Sequence, residues 1–136
     1  IGTAICYQSF YGDYYSDYVL KGAQVMSVIT NDGWWSNTPG YRQHLRYASL
    51  RAIETRRSIA RSANTGISAF INQRGERVAE LGWWHEDCLT GSINLNDELT
   101  FFVRHGDFIG RISTFMFTLL ALLYFTIAVT KRAKKK

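Results

Sequence analysis

The fold is decided by the first six residues, IGTAIC (Ile1–Cys6), and the stretch YQSFYGDYYSDY (residues 7–18) that follows them. The first six residues form an apolar run typical of a buried strand, and the run ends in a thiol. The second stretch is rich in Gly, Asp and Tyr, which favours a turn leading into a helix. A cysteine at such a strand-to-helix turn has the geometry of an activated nucleophile, and the backbone N–H of Tyr7 is then positioned to face an oxyanion. A buried structural cysteine is the alternative, because no residue nearby in the sequence is an obvious base.

Apolar patterning outward from this run predicts an α/β protein. The second strand is continuously apolar, as in a parallel sheet, and the first two strands with the helix between them form a right-handed βαβ unit. Leu45, Ala48, Ala52 and Ile53 recur at helical spacing and predict the inner face of the second helix. In chain order the predicted elements are a strand over 2–6, a helix over 13–21, a strand over 24–30, a loop over 31–40, a helix over 41–56, strands over 58–63 and 67–72, and weaker strands over 77–81 and 89–95.

The C-terminal part is a candidate membrane span. Residues 112–130 carry no charge, and a run of about 19 such residues is long enough to cross a bilayer. The basic cluster Lys131–Lys136 supplies five positive charges, equal to the net charge of +5, so residues 1–130 are neutral. A neutral folded part argues against nucleic-acid binding, which needs a basic face. The positive-inside rule places the basic end in the cytoplasm and the folded part on the other side. A buried core helix is the less favoured alternative, because such helices rarely lack a polar face over this length.

This change in composition divides the chain into three parts. We predict a folded part over residues 1–108, a transmembrane helix over 109–130 and a basic cytoplasmic tail over 131–136. The sequence has no initiator Met, opens inside a core strand and lacks the pattern of a signal peptide. We therefore expect the C-terminal part of a longer protein, with an active site that extends beyond Ile1.

Several side chains have both a functional and a structural interpretation. A disulfide between Cys6 and Cys88 is possible in an oxidising compartment, but a nucleophilic Cys6 has to stay reduced. His85 and Cys88 have a spacing that could bind a metal ion, but a single such pair is weak evidence for a metal site. We therefore predict a surface histidine, a half-buried cysteine and no metal. The tryptophan pairs Trp34-Trp35 and Trp83-Trp84 favour ligand binding or the membrane interface as much as simple packing.

The arginines divide in the same way. Arginine side chains suit phosphate groups, but they also pair with Glu54 and with buried carbonyls. We favour the structural interpretation for Arg56, Arg57 and Arg61 and leave Arg42 and Arg46 open. The full set is Arg42, Arg46, Arg51, Arg56, Arg57 and Arg61.

Three motifs in order carry a family resemblance. ICYQSFYGD (residues 5–13), ITNDGWWSNTPGYRQH (29–44) and RAIETRRSIARSANTGIS (51–68) resemble the C-terminal part of the apolipoprotein N-acyltransferases. These are the membrane-bound bacterial branch of the nitrilase, or carbon–nitrogen hydrolase, superfamily. The resemblance covers most of residues 1–110, and the terminal span resembles the last transmembrane helix of that family.

The resemblance implies a nitrilase-like α/β/β/α sandwich, of which this chain holds the C-terminal part, followed by one transmembrane helix. It implies a Glu-Lys-Cys catalytic set in which Cys6 is the nucleophile, with the Glu and the Lys upstream of Ile1, so that the chain alone is inactive. Tyr7 and Gln8 become neighbours of the active site or oxyanion. Candidate substrate-pocket residues are Asn31, Asp32, Trp34 and Trp35.

The implied reaction moves a fatty acyl group from a membrane phospholipid, through a Cys6 thioester, to the diacylglyceryl-cysteine of lipoproteins. No cofactor is expected, and the implied location is the bacterial inner membrane, with several spans in the full-length protein and the folded part on the periplasmic side. The family commonly reads Cys-Tyr-Glu where this chain reads Cys6-Tyr7-Gln8, which keeps hydrogen bonding and loses the charge. A membrane-tethered amidase of nitrilase type and a catalytically impaired binding domain are the alternative interpretations.

Overall fold

A computed structural model describes residues 1–133, and residues 134–136 of the predicted basic tail lie outside the described part. The chain forms two compact units, Ile1–Gly106 and a second unit that begins at Asp107. The elements are β1 (Gly2–Ile5), α1 (Gly12–Leu20), β2 (Met26–Asn31), α2 (Pro39–Thr55), β3 (Ile59–Asn64), β4 (Ser68–Ile71), β5 (Arg77–Leu81), α3 (Phe101–His105) and α4 (Phe108–Ala133). Short 3-10 turns, Cys6–Phe10 and Asp32–Trp35, follow β1 and β2.

The first unit is built on a five-stranded sheet with the strand order β1-β2-β3-β4-β5. The first three strands are parallel, and β4 and β5 add to them in antiparallel fashion. Because both parallel connections step in the same direction across the sheet, right-handed crossovers place α1 and α2 on the same face. The predicted βαβ unit is therefore confirmed, and it is followed by a second one.

The core lies between this face of the sheet and the two helices. Tyr15 of α1 and Leu45, Ala48 and Ala52 of α2 pack on the inward side chains of the strands, among them Met26. The other core members are Ala4, Ala23, Val28, Ile59, Ala69 and Ile71. Side chains alternate along a strand, so Ile5 and Ile29 point to the opposite face, where they are exposed.

Helix α2 begins earlier than predicted because its start is encoded by Thr38 and Pro39. The Thr38 hydroxyl accepts a hydrogen bond from the Gly40 N–H, and Pro39 occupies the first turn, where its missing N–H costs nothing. The helix ends where Arg56 adopts a left-handed conformation with φ 51°. Ile53, predicted on the inner face, is instead exposed and contacts Gly75 in the turn after β4.

The predicted strand over residues 89–95 is wrong. The described backbone there has no ladder partner, and Gly91 passes so close to Phe70 that an added Cβ would lie 2.9 Å from a ring carbon. Isolated hydrogen bonds hold this part of the chain in place, for example one in which the Asn96 N–H donates to the Gln24 carbonyl oxygen at 3.1 Å. Apolar residues that alternate along an extended segment lying over a sheet give the same pattern as a strand within it. Helix α3 was not predicted, since five residues are too few to show a helical period.

The second unit is dominated by α4, 26 residues that bury no side chain. A helix of this length measures about 39 Å, compared with about 30 Å for the hydrocarbon core of a bilayer. The hydroxyls of Thr114, Thr118, Thr126 and Thr130 each donate at 2.8 Å to the carbonyl four residues earlier. These polar groups are thus satisfied within the helix, as an apolar solvent requires. α4 is long and apolar enough to cross a membrane.

Candidate active site

Cys6 stands at the C-terminal end of β1 in an unusual backbone conformation. Its φ is 50°, in the left-handed region that non-glycine residues rarely adopt. The thiol is half-buried and free, so the disulfide with Cys88 that the sequence permits is not formed. In parallel sheets the carboxyl ends of the strands share one edge, and β1 and β2 pair through Ile5 and Ile29. This register brings Cys6 beside the last residues of β2, close to the turn that follows the strand.

The 3-10 turn that begins at Cys6 is closed by Gln8. Its side-chain Oε1 accepts a hydrogen bond of 2.7 Å from the Ile5 N–H, and its carbonyl accepts one of 3.2 Å from the Tyr11 N–H. Gln8 therefore bridges the last residue of β1 and the first residue after the turn. The contact needs an acceptor oxygen and not a charge, so a Gln meets it as a Glu would.

Behind the turn lies a buried polar network. His44 Nδ1 lies 2.9 Å from Asp32 Oδ1, and Nε2 lies 2.8 Å from Ser9 Oγ and 3.2 Å from the Cys6 carbonyl oxygen. The Ser9 hydroxyl is also 2.8 Å from the Cys6 carbonyl oxygen. Because an ionised carboxylate only accepts, Nδ1 carries a hydrogen and donates it to Asp32. The three side chains are at most 1% exposed, so the network is shielded from solvent.

Arg61 of β3 anchors the far side of this network. Its Nη2 donates to Asp32 Oδ2 at 2.8 Å, and its Nη1 donates to the Ile67 carbonyl at 3.2 Å. Burial lowers the pKa of the Arg61 guanidinium, and the nearby Asp32 carboxylate opposes that change. Burial also raises the pKa of the Tyr15 hydroxyl. The surroundings of Cys6 thus contain a buried cation that is paired with a carboxylate.

Aromatic rings surround the entrance to the Cys6 turn. The Tyr7 ring lies 5.3 Å from Phe10 and 5.8 Å from Trp35, centroid to centroid, and Phe10 lies 4.3 Å from Tyr47. Trp35 packs directly on Gly40, where any side chain would collide with the ring. Trp34 is 86% exposed. The site therefore opens onto an apolar surface that remains accessible to solvent.

Comparison with known proteins places the chain in a family. Residues 1–98 match the family model described as carbon–nitrogen hydrolase. The chain belongs to the carbon–nitrogen hydrolase family. The resemblance to apolipoprotein N-acyltransferases is confirmed. The chain is 38% identical over 132 residues to that of Chlorobaculum tepidum, 32% over 107 residues to that of Geobacter metallireducens and 30% over 138 residues to apolipoprotein N-acyltransferase 1 of Treponema denticola.

These alignments cover 97%, 79% and 100% of this chain but only 24%, 20% and 25% of the respective relatives. The chain thus spans about a quarter of the length of the curated relatives it matches. Among solved structures, a carbon–nitrogen hydrolase from Helicobacter pylori G27 superposes with a TM-score of 0.56 at 14% identity, covering 62% of this chain and 36% of that one. Nit3 of Saccharomyces cerevisiae, a nitrilase-superfamily member, superposes with a TM-score of 0.52 at 23% identity, covering 62% and 34%. The nitrilase-like fold predicted from the sequence is confirmed.

The candidate pocket residues occupy different positions in the structure. Asn31 ends β2, and its Oδ1 accepts a 3.0 Å hydrogen bond from the Gly33 N–H, which closes the turn after the strand. Asp32 is fully buried behind Cys6, where Thr30, His44 and Arg61 bind its carboxylate. Trp34 and Trp35 lie on the accessible side, and Trp35 faces Tyr7. Asp32 therefore lies behind Cys6, Trp35 packs beside Tyr7, and the Trp34 side chain is exposed to solvent.

Three members of the network were not predicted from the sequence as site residues. They are Ser9, His44 and Arg61, for the last of which the sequence favours a structural interpretation. His44 is one residue before Leu45 and four before Ala48, so the pattern does place it near the inner face of α2. A histidine on an apolar helix face, with an aspartate just after a parallel strand, is a signal that was available. The sequence does not show that the fold brings His44 Nδ1 within 2.9 Å of Asp32 Oδ1.

The remaining side chains have structural contacts. Arg57 donates to the carbonyls of Ala23, Thr55 and Glu98 at 2.8, 3.1 and 2.9 Å, and Arg51 pairs with Glu54 at 2.9 Å, as the structural interpretation predicts. Arg42 and Arg46 are exposed. His85 is on the surface as predicted, but Cys88 is exposed and not half-buried, because the segment around it lies outside the sheet. Trp83 packs against Tyr41 in a tilted arrangement, with 4.2 Å between the ring centroids.

Proposed function

We propose that this chain is the C-terminal part of an N-acyltransferase that acylates bacterial lipoproteins, with Cys6 as its nucleophile. The observation that carries the proposal is the free, half-buried thiol of Cys6 at φ 50°, at the carboxyl edge of a parallel sheet. Strained residues of this kind concentrate at active sites. The similarity to apolipoprotein N-acyltransferases over nearly the whole chain supports the choice of reaction.

The proposed first step forms a thioester. The Cys6 thiolate attacks the carbonyl carbon of a phospholipid acyl ester, the carbon–oxygen bond breaks, and the lysophospholipid leaves after its oxygen takes a proton. In this proposal the backbone N–H of Tyr7 donates to the oxyanion that develops on the carbonyl. In this proposal a glutamate base and a lysine, supplied by the part of the full-length protein that precedes Ile1, manage the protons and the charge. No cofactor takes part.

The proposed second step transfers the acyl group to an amine. The free α-amine of a diacylglyceryl-cysteine attacks the thioester carbon, an amide bond forms, the carbon–sulfur bond breaks and the Cys6 thiol is restored. A thioester stays reactive towards an amine, so the intermediate suits this acceptor. Asn31 shapes the turn, Trp34 and Trp35 form the lipid-facing wall, and Asp32 supports the site from behind.

We further propose that α4 crosses the inner membrane as one of several spans of the full-length protein. Its length, its apolar surface and its self-satisfied threonine hydroxyls support this, and the basic residues Lys131 and Arg132 at its end favour a cytoplasmic C-terminus. Both substrates are lipids, so an enzyme anchored in the bilayer meets them at high local concentration. The folded unit then lies on the periplasmic side.

A second candidate function is a membrane-tethered amidase, in which water resolves the thioester. The observation in its favour is that the family model and the solved structures include carbon–nitrogen hydrolases. The two candidates differ in the product, a lipoprotein amide in one case and a free acid in the other. A binding domain without catalysis is favoured only by Gln8 in place of the family's usual Glu.

Mass spectrometry of the full-length gene product in phospholipid nanodiscs tests the proposal. We expect an acyl adduct on the peptide that contains Cys6, which disappears when a diacylglyceryl-peptide with a free amine is added and reappears on that amine. Cys6→Ser is expected to abolish transfer, and Cys88→Ser, which removes an exposed thiol of the same chain, is the matched control and is expected to retain it. Transfer that persists in Cys6→Ser contradicts the proposal, and release of free fatty acid without transfer favours the amidase.

A further inference from the structure

Ser9, His44 and Asp32 line up as the nucleophile, base and acid of a serine hydrolase do. The Ser9 Oγ to His44 Nε2 distance is 2.8 Å and the His44 Nδ1 to Asp32 Oδ1 distance is 2.9 Å. A nucleophilic serine has to reach its substrate. The Ser9 and Asp32 side chains are 0% exposed and His44 is 1% exposed, so no substrate reaches this hydroxyl. The arrangement is therefore not a second hydrolytic centre, and its role has to be found in what it touches.

The contacts that run from Asp32 through His44 and Ser9 end at the backbone of Cys6. The Cys6 carbonyl oxygen lies 2.8 Å from Ser9 Oγ and 3.2 Å from His44 Nε2. Cys6 is also the residue with φ 50°. Such a conformation is unfavourable for a residue with a Cβ and persists only where the surroundings over-determine it. The Ser9 hydroxyl, which donates to the carbonyl of the strained residue and is itself contacted by His44, meets that requirement.

The other end of the chain of contacts is rigidly fixed. Asp32 follows β2, and its Oδ1 accepts from Thr30 at 3.1 Å while its Oδ2 accepts from Arg61 of β3 at 2.8 Å. His44 is held on α2, whose first turn is capped by Thr38. The position of the Cys6 carbonyl is thus fixed relative to β2, β3 and α2. A displacement of any of these would move the thiol.

We propose that Asp32, His44 and Ser9 are positioning residues that hold the Cys6 backbone in the conformation that presents its thiol. This inference rests on the proposed function, in which Cys6 is acylated. None of the three touches the substrate. Their contribution lies in the rate of the chemical step, because a reacting atom displaced by about 1 Å loses about 100-fold in rate while substrate binding is retained.

Two substitutions at position 44 separate positioning from simple filling of the core. In His44→Gln the amide takes the place of Nε2, so the contact with Ser9 and the Cys6 carbonyl is kept and the bond to Asp32 is lost. In His44→Asn the shorter amide takes the place of Nδ1, so the bond to Asp32 is kept and the contact with Cys6 is lost. If His44 positions Cys6, the His44→Gln variant is expected to transfer acyl groups faster than the His44→Asn variant. If His44 only fills space in the core, the two variants are expected to be equally active, or the Asn variant to be the more active.

The experiment uses the full-length protein in nanodiscs and reads two quantities in each variant. We expect kcat for acyl transfer to fall about 100-fold in His44→Asn and less than about tenfold in His44→Gln, with KM for phospholipid within about threefold of the unmodified protein. The second quantity, alkylation of Cys6 by iodoacetamide relative to the exposed Cys88 of the same molecule, needs no lipid substrate. It is expected to fall in the same order. Ser9→Ala, which leaves packing almost unchanged, is expected to lower kcat about tenfold, since it removes one hydrogen bond.

The experiment distinguishes a failure of the positioning role from a failure of the proposed acyl transfer. An Asn variant as active as the Gln variant, or an unchanged Cys6-to-Cys88 alkylation ratio in all variants, overturns the positioning role even if the unmodified protein transfers acyl groups. Absence of an acyl-Cys6 adduct in the unmodified protein, with the alkylation ratio still ordered as expected, overturns the proposed reaction and supports positioning. If both position-44 variants fail to melt cooperatively, a fully active Ser9→Ala overturns the positioning role and a tenfold slower one supports it.

Discussion

At the scale of single residues, the candidate nucleophile depends on contacts made by its own turn. Cys6 adopts φ 50°, and the side chain of Gln8 accepts a 2.7 Å hydrogen bond from the Ile5 N–H immediately before it. The Ser9 hydroxyl donates to the carbonyl of Cys6, and His44 contacts both groups. The usual Glu of the family and the Gln of this chain share the acceptor oxygen, so the turn is preserved while the negative charge is absent.

Replacing Gln8 tests whether its oxygen closes the turn. Gln8→Met keeps the length of the side chain and removes the acceptor, which costs about 1 kcal/mol for a partly exposed hydrogen bond. We expect the Ile5 amide to exchange its hydrogen about fivefold faster, measured by hydrogen exchange and mass spectrometry on the full-length protein. Gln8→Glu restores an acceptor and is the control, with exchange expected near that of the unmodified protein. Equal exchange in the Met and Glu variants would contradict a role for the side-chain oxygen.

At the scale of secondary-structure elements, Arg57 links the layers of the first unit. It follows α2, and its guanidinium donates to the carbonyl of Ala23 after α1, to Thr55 at the end of α2 and to Glu98 before α3. The side chain is 1% exposed. Burial lowers the pKa of its guanidinium, and the charges of Asp97 and Glu98 oppose that change. The ends of three helices are therefore tied to one buried cation.

Arg57→Met is expected to destabilise the folded unit substantially. The substitution leaves three carbonyls without this donor, at a cost of about 1 kcal/mol or more each, so the free energy of unfolding should fall by about 3 kcal/mol. Thermal and denaturant unfolding of the full-length protein, followed by tryptophan fluorescence, measures the loss. Arg74→Met is the matched control, because the Arg74 side chain is exposed, and it is expected to change stability by less than about 0.5 kcal/mol. Similar losses in the two variants would show that the buried bonds of Arg57 contribute little.

At the scale of the whole molecule, the proposed topology follows from where charge and apolar surface lie. The first unit is neutral in sequence, α4 carries no charge between Ile112 and Thr130, and its C-terminal end is basic from Lys131. The exposed face of the sheet, with Ile5 and Ile29, is the face that a second sheet would cover in a four-layer sandwich. We therefore expect the chain by itself to be inactive and prone to aggregate.

Native and introduced thiols test the proposed sidedness. Cys88 is exposed in the first unit, so a membrane-impermeant maleimide added to spheroplasts is expected to label it. Ala133→Cys, at the basic end of α4, is expected to be labelled only after the membrane is opened with detergent. Peptide mass spectrometry distinguishes the two positions. Labelling of position 133 in intact spheroplasts, or protection of Cys88 until lysis, would reverse the proposed orientation.

The sequence by itself determined the order of elements, the parallel pairing of the first strands, the apolar helix at the C-terminus and the family resemblance. These features are local: they depend on the period of apolar residues, on turn residues such as Asn64-Thr65-Gly66 and on contiguous motifs. Cys6 stood out for the same reason, since its place at a strand end is visible in the chain. The strand expected over residues 89–95 failed because an extended segment over a sheet and a strand within it have the same apolar pattern.

Only the tertiary structure decided which polar side chains serve Cys6. Asp32 and His44 are 12 residues apart and His44 and Ser9 are 35 apart, yet they meet within hydrogen-bonding distance because β1, β2 and α2 converge at one edge of the sheet. Their hydrogen bonds depend on angles and distances of a few tenths of an ångström, which arise from packing and not from periodicity. The left-handed conformation of Cys6 is likewise a property of its surroundings, since nothing in a cysteine's own preference produces it.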